Sequence, residues 1–95
     1  MTLGDPALER EVLAMFAAQA ADLIERLTKV PPDAAAIAHT LKGSARAIGA
    51  VRVADAAAGV EAALHSGTAT AAPLAELSEA ITEARGAIDA ILKRS

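Results

Sequence analysis

Cysteine, tryptophan and tyrosine are absent from the 95 residues, and phenylalanine occurs once. The missing cysteine removes disulfides, thiolate nucleophiles and thiolate metal sites together, and it fits a reducing compartment. A core with a single aromatic side chain must be built from Leu, Ile, Val and Ala, and alanine at helix contacts lets the axes approach closely. Basic runs are also lacking. The net charge is −3, and no stretch of Lys or Arg is long enough to track a phosphate backbone, which sets nucleic acid aside as a partner. No basic segment followed by an apolar one opens the chain, and no apolar run is long enough to span a bilayer. A soluble cytoplasmic protein with no membrane partner is expected. No G-x-x-x-x-G-K loop and no carboxylate pair suited to a metal is present, so neither ATP use nor a metal or other cofactor of its own is expected.

The chain is 54% hydrophobic and 22% charged, which is globular composition, and its length suits one domain over residues 1–95. Asp5-Pro6 reads as an N-cap followed by proline at the first helical position. From there Leu8, Val12, Phe16, Leu23 and Leu27 form one apolar face, and Val30-Pro31-Pro32-Asp33 ends the helix. A second helix is expected from about Asp33 to Ile48, with Ile37, Leu41, Ala45 and Ile48 as its stripe and Gly49 at the left-handed C-terminal position. A third runs from about Ala50 to His65 on Val53, Ala57, Val60 and Leu64, stopping at Ser66-Gly67. The fourth begins near Pro73 and carries Leu74, Leu77, Ile81, Ile88 and Leu92. Amphipathic helices with short connections pack as antiparallel neighbours. The expected fold is all-α, an up-down-up-down four-helix bundle.

Within the second helix stands His39-Thr40-Leu41-Lys42-Gly43-Ser44-Ala45-Arg46. At about 100° per residue, with His39 at the origin, Lys42 falls at about 300°, Gly43 at about 40° and Arg46 at about 340°. The core stripe Ile37, Leu41, Ile48 falls at about 160–200°. The histidine therefore faces solvent, flanked by Lys42, Gly43 and Arg46. Glycine inside a helix costs about 1 kcal/mol relative to alanine. Packing against another helix is its usual reason, but position 43 faces away from the stripe. Helical side chains lean toward the N-terminus, so a side chain at 43 would lie over His39. Gly43 reads as clearance that lets a large partner reach a ring nitrogen. Neutral imidazole is a nucleophile near pH 7, and Lys42, with Arg46 one turn on, supplies positive field for a phosphoryl group attached there. Ser44, towards the core side, reads as structural. His65, in the last turn of its helix, reads as a partner of C-terminal carbonyls.

His39-Thr40-Leu41-Lys42-Gly43-Ser44-Ala45, followed by Ile48-Gly49, resembles the H-x-L-K-G-S motif of histidine-containing phosphotransfer (HPt) domains. Val53, Ala54, Val60 and Glu61 resemble that family's small-apolar pattern ending in an apolar-Glu pair, while residues 1–30 and 68–95 match in helical character only. The chain is short for the family and lacks most of its aromatic residues. The resemblance implies a helical bundle whose His39 is phosphorylated on a ring nitrogen and exchanges the group with an aspartate of a response-regulator receiver. It makes Lys42 the phosphate-neighbouring base, Gly43 the small residue admitting the receiver and Gly49 the helix-closing glycine.

The resemblance further implies a phosphocarrier rather than a self-sufficient enzyme. Its partners would be receiver domains and a hybrid or sensor histidine kinase, with Mg²⁺ supplied by the receiver. Ala35, Ala36 and Ala47 are the expected contact patch beside Lys42 and Arg46. Met1 and the polar end Lys93-Arg94-Ser95 lean toward a free-standing protein rather than a domain of a larger kinase, and a monomer is expected. Two other readings bear on the same residues. A kinase dimerisation segment would carry H-E-hydrophobic-R-T-P, whereas Leu-Lys-Gly follows the histidine here and the next proline after it is Pro73. A structural interaction bundle with an incidental His39 is the alternative from another class.

Overall fold

A computed structural model describes residues 5–94; the Met1 and Ser95 ends lie outside them. Four helices follow in order: α1 (Pro6–Leu27), α2 (Ala34–Ile48), α3 (Val51–Ser66) and α4 (Ala71–Leu92). Asp5 caps α1 as its position foretells, its side chain accepting from the Ala7 and Leu8 amides at 3.0 and 3.3 Å. Gly49 and Gly67 close α2 and α3 with φ of 79° and 69°, the left-handed conformation that glycine adopts without a Cβ clash.

Two boundaries differ from expectation. α4 starts two residues before Pro73, which occupies the third helical position, where a missing N–H costs no intrahelical bond. α1 ends at Leu27, before Val30. The Lys29 and Val30 amides donate to Arg26 and Leu27 in tightened turns, and Val30 then takes φ 44° ahead of Pro31, which disfavours the right-handed helical region for it.

Each helix packs against its chain neighbours, and α1 packs against α4, so the four form a closed ring with no diagonal contact among the described residues. Three cross-helix pairs fix the directions as antiparallel. Early α1 meets late α4, where the Arg10 guanidinium donates to the Ile91 and Leu92 carbonyls. Early α2 meets late α3 at His39 and Glu61. Arg52, at the start of α3, meets Glu83 in the second half of α4. The bundle is 44 Å along its longest dimension.

The buried residues are Phe16, Ala20, Leu23 and Leu27 of α1, Ile37, Leu41 and Ala45 of α2, Val53, Ala57 and Val60 of α3, and Leu77, Ile81 and Ile88 of α4, with further alanines between them. Ala20, Ala38, Ala45 and Ala57 are completely buried, so small side chains sit where the helices meet. Val12 departs from the expected face. It is exposed, because the core line of α1 runs Phe16–Ala20–Leu23–Leu27 and leaves Val12 beside it, facing α2. Leu8, Ile48, Leu64, Leu74 and Leu92, at the ends of their stripes, are half-buried.

Candidate functional site

The core stripe of α2 faces inward, so the opposite side of the helix must face water. His39 stands there with its side chain 67% exposed. Gly43, one turn on, is exposed, and a Cβ built on it would meet nothing within 4 Å. Space inside the bundle therefore does not require the glycine. Arg46 and Ala47 are exposed, Ala36 likewise, and Ala35 is half-buried. The outward direction of His39, Gly43 and Arg46 agrees with the wheel, whereas Lys42 and Ala35 are half-buried.

Glu61 of α3 ties the histidine to the lysine, a link that inspection of α2 alone does not reveal. Its Oε1 accepts from Lys42 Nζ at 2.7 Å and its Oε2 lies 3.1 Å from His39 Nδ1. The Lys42 and Glu61 side chains are 18% and 19% exposed, well tucked into the α2–α3 seam beside an exposed imidazole. Lys42 thus faces α3 and is engaged by a carboxylate, where the sequence suggested a cation leaning freely toward the ring. Arg46 has no ion-pair partner among the described residues. Ser44 lies on the other flank of α2, half-buried, toward α1.

The protonation pattern follows from charge. The hydrogen bond from Lys42 holds the Glu61 carboxyl below the ordinary carboxylate range; its partial burial opposes this, and the His39 hydrogen bond and the charge of Lys42 reinforce it. An ionised carboxylate only accepts hydrogen bonds. His39 Nδ1 must therefore carry the hydrogen and donate to Glu61 Oε2. A neutral imidazole with its hydrogen on Nδ1 has its lone pair on Nε2. The result is an exposed ring whose Nδ1 is engaged by Glu61.

His65 behaves as expected of a histidine in a last helical turn. Its Nδ1 donates to the Glu61 carbonyl at 3.0 Å, and it has no lysine-glycine pair after it. Among the described residues no three His, Cys, Asp or Glu side chains are grouped so as to hold a metal ion, and no helix is long and apolar enough to cross a membrane.

The role of Glu61 was partly visible in the sequence. His39 and Glu61 stand eleven residues before and after Ala50, the turn between α2 and α3, so an antiparallel hairpin brings them level. The mirror image of His39 about the turn is one of only two carboxylates in α3.

No curated protein and no solved structure gives a significant match to the chain. One family model, described as the Hpt domain, matches residues 11–92. That span takes in all of α2, α3 and α4, most of α1 and every residue of the His39–Glu61–Lys42 cluster. The chain belongs to the Hpt domain family, the phosphocarrier modules of histidine phosphotransfer in two-component signalling.

Proposed function

We propose that His39 is the phosphoacceptor and that the group is carried on Nε2, to and from an aspartate of a response-regulator receiver. The observation that carries this reading is the exposed imidazole whose Nδ1–H is held by an ionised Glu61. In the forward step the Nε2 lone pair attacks the phosphorus of an aspartyl phosphate. The N–P bond forms as the P–O bond to the aspartyl carboxyl breaks, and the carboxylate leaves with that electron pair. No proton has to depart from Nε2, because the ring hydrogen is already on Nδ1. The ring gains positive charge as it is phosphorylated, and the Glu61 carboxylate 3.1 Å from Nδ1 faces that charge. Return transfer runs the same steps backwards.

The neighbours divide the remaining work. Lys42 keeps Glu61 ionised and aimed, and adds positive charge next to the phosphoryl group. Gly43 leaves the approach to the ring open. Arg46, lacking an internal partner, is available to an acidic rim on the receiver. Divalent metal is assigned to the receiver and a kinase to the supply of phosphate, with the cytoplasm as the site of action and a monomer as the working form.

The test is incubation with a phosphorylated receiver, followed by chemical characterisation of the label. Acid-labile, base-stable label on the parent protein and none on His39→Gln, with helicity retained, is the expected result. Label persisting in His39→Gln would move the site. No label on the parent would favour a bundle that serves only as an interaction module.

A further inference from the structure

Helix α4 carries Leu77, Ala80, Ala84, Ala87 and Ile91 at alternating spacings of three and four, a continuous seam of the kind that packs along a neighbouring helix. α3 covers only its first part. The Arg52–Glu83 pair sets the start of α3 level with Glu83, and α4 then runs on to Leu92, about 13 Å further. Exposure follows this step: Leu77 and Ala80 are buried, Ala84 is half-buried, and Ala87 and Ile91 are exposed. At the step itself Val51, 65% exposed, borders an open hollow of about 300 Å³ with Ala84 and Ala87. We propose that the uncovered end of the seam is the contact for a second copy of the chain, the two α4 ends lying antiparallel about a two-fold axis. The inference stands apart from the carrier reading above. Transfer remains the work of a single chain, since the axis lies about 22 Å along the bundle from the level of His39 and leaves both imidazoles open.

Three features select a second copy. The first is direction. α3 runs antiparallel to α4, and a two-fold axis across α4 makes the second α4 antiparallel as well, so it continues along the seam the way α3 already runs. The second is length. With the axis between Ile88 and Asp89, residues 85–92 of each copy lie alongside residues 92–85 of the other, and the overlap ends where each α3 begins. The uncovered stretch is as long as the piece that fills it, and its alanines let the two axes approach closely. The third is charge. Glu79 and Glu83 precede the uncovered stretch, and Lys93 and Arg94 follow it. Antiparallel overlap brings the basic end of each copy to the acidic stretch of the other, with Arg94 level with Glu83, whereas parallel alignment would set like charges together. Glu83 is paired with Arg52 in its own copy, and Glu79 has no ion pair among the described residues.

The contact is short, less than a stable interface buries, so a dissociation constant on the order of 100 µM is expected. Sedimentation equilibrium of the parent should show monomer passing to dimer across that range. Ala87→Glu sets two carboxylates against each other near the axis and should weaken association by about tenfold or more. Helicity should be retained, because position 87 is exposed. The chain has no cysteine, so single cysteines report the register. A short bismaleimide is expected to join two copies of Ala87→Cys. It should not join two copies of Ala75→Cys, whose thiols would stand about 40 Å apart along the axis. A parent that stays monomeric up to about 1 mM would overturn the proposal. So would an Ala87→Glu variant that associates as the parent does, or equal crosslinking from both positions. Phosphoryl transfer per chain should be the same in Ala87→Glu and the parent; slower transfer in the variant would place the imidazole face in the contact and overturn this arrangement.

Discussion

Lys42 Nζ stands 2.7 Å from Glu61 Oε1, so the cation nearest the imidazole on α2 is neutralised by a carboxylate of the next helix. Charge at this site belongs to a cluster of three residues, and each member acts partly through the others.

Glu61→Gln tests the cluster at its centre. The amide keeps the shape of the side chain but loses the charge that fixes the ring hydrogen on Nδ1. Transfer to His39 is expected to slow by about tenfold or more, the equivalent of one charge-assisted hydrogen bond of ~1.5–3 kcal/mol. Lys42→Ala should slow transfer less than loss of His39, since it assists and does not react. NMR of the imidazole nitrogens should show the Nδ1–H form dominant in the parent and redistributed in Glu61→Gln.

The titration of Glu61 gives a pH prediction with a definite sign. Its carboxyl pKa is lowered in the fold from the ordinary value of 4.5, first of all by Lys42. A group whose pKa is depressed on folding contributes stability that is present above the unfolded value and is lost as pH falls through the folded value. The contribution should therefore be intact above about pH 4.5 and fade only below it. Carbon-detected titration should place the Glu61 midpoint below 4.5 and move it upward in Lys42→Ala. An unmoved midpoint would mean that the lysine bond does not persist in solution.

Gly43→Leu separates helix stability from access. A side chain there meets open space, and leucine is favoured over glycine in a helix by about 0.8 kcal/mol, so the melting temperature should hold or rise. Exchange with a receiver should nonetheless slow by about tenfold or more, because the added side chain leans over His39. Unchanged exchange would remove the clearance argument for this glycine.

Arg10→Ala probes the seam between first and last helices. Its guanidinium donates to the Ile91 carbonyl at 3.2 Å, which also accepts from the Arg94 amide, and to the Leu92 carbonyl in the last turn of α4. Loss of these bonds should cost on the order of 1 kcal/mol, or about 4–8 °C in melting temperature for a domain of this size. Phosphoryl transfer at His39 should be far less affected at temperatures where the protein is folded.

Much of the molecule was legible before any coordinates. The helices follow from apolar spacing and from prolines and glycines at the breaks, and the outward direction of His39 follows from its angle to Ile37, Leu41 and Ile48. What escaped has identifiable reasons. Val12 sits on a line adjacent to the buried one of α1, and a single averaged face merges the two. Lys42 has a direction that the helix fixes, but its long side chain goes where a counter-charge lies, and that counter-charge is on α3. Glu61 needs the register of two helices at once, which periodicity within one helix does not supply. The strained φ of Val30 arises from Pro31 and the tight end of α1 together, with no signal of its own.

Loops join α1 to α2, α2 to α3 and α3 to α4; the remaining seam, between α4 and α1, is fastened by Arg10. Pro6 and Leu92 consequently lie at one corner of the bundle, at the end toward which α2 runs; through the His39–Glu61 and Arg52–Glu83 pairings, Leu92 is about 27 Å along the axis from the level of His39. Polypeptide extending from either side of the bundle would leave from that shared corner. The imidazole face stays turned outward whether the module moves by itself or hangs from a larger chain.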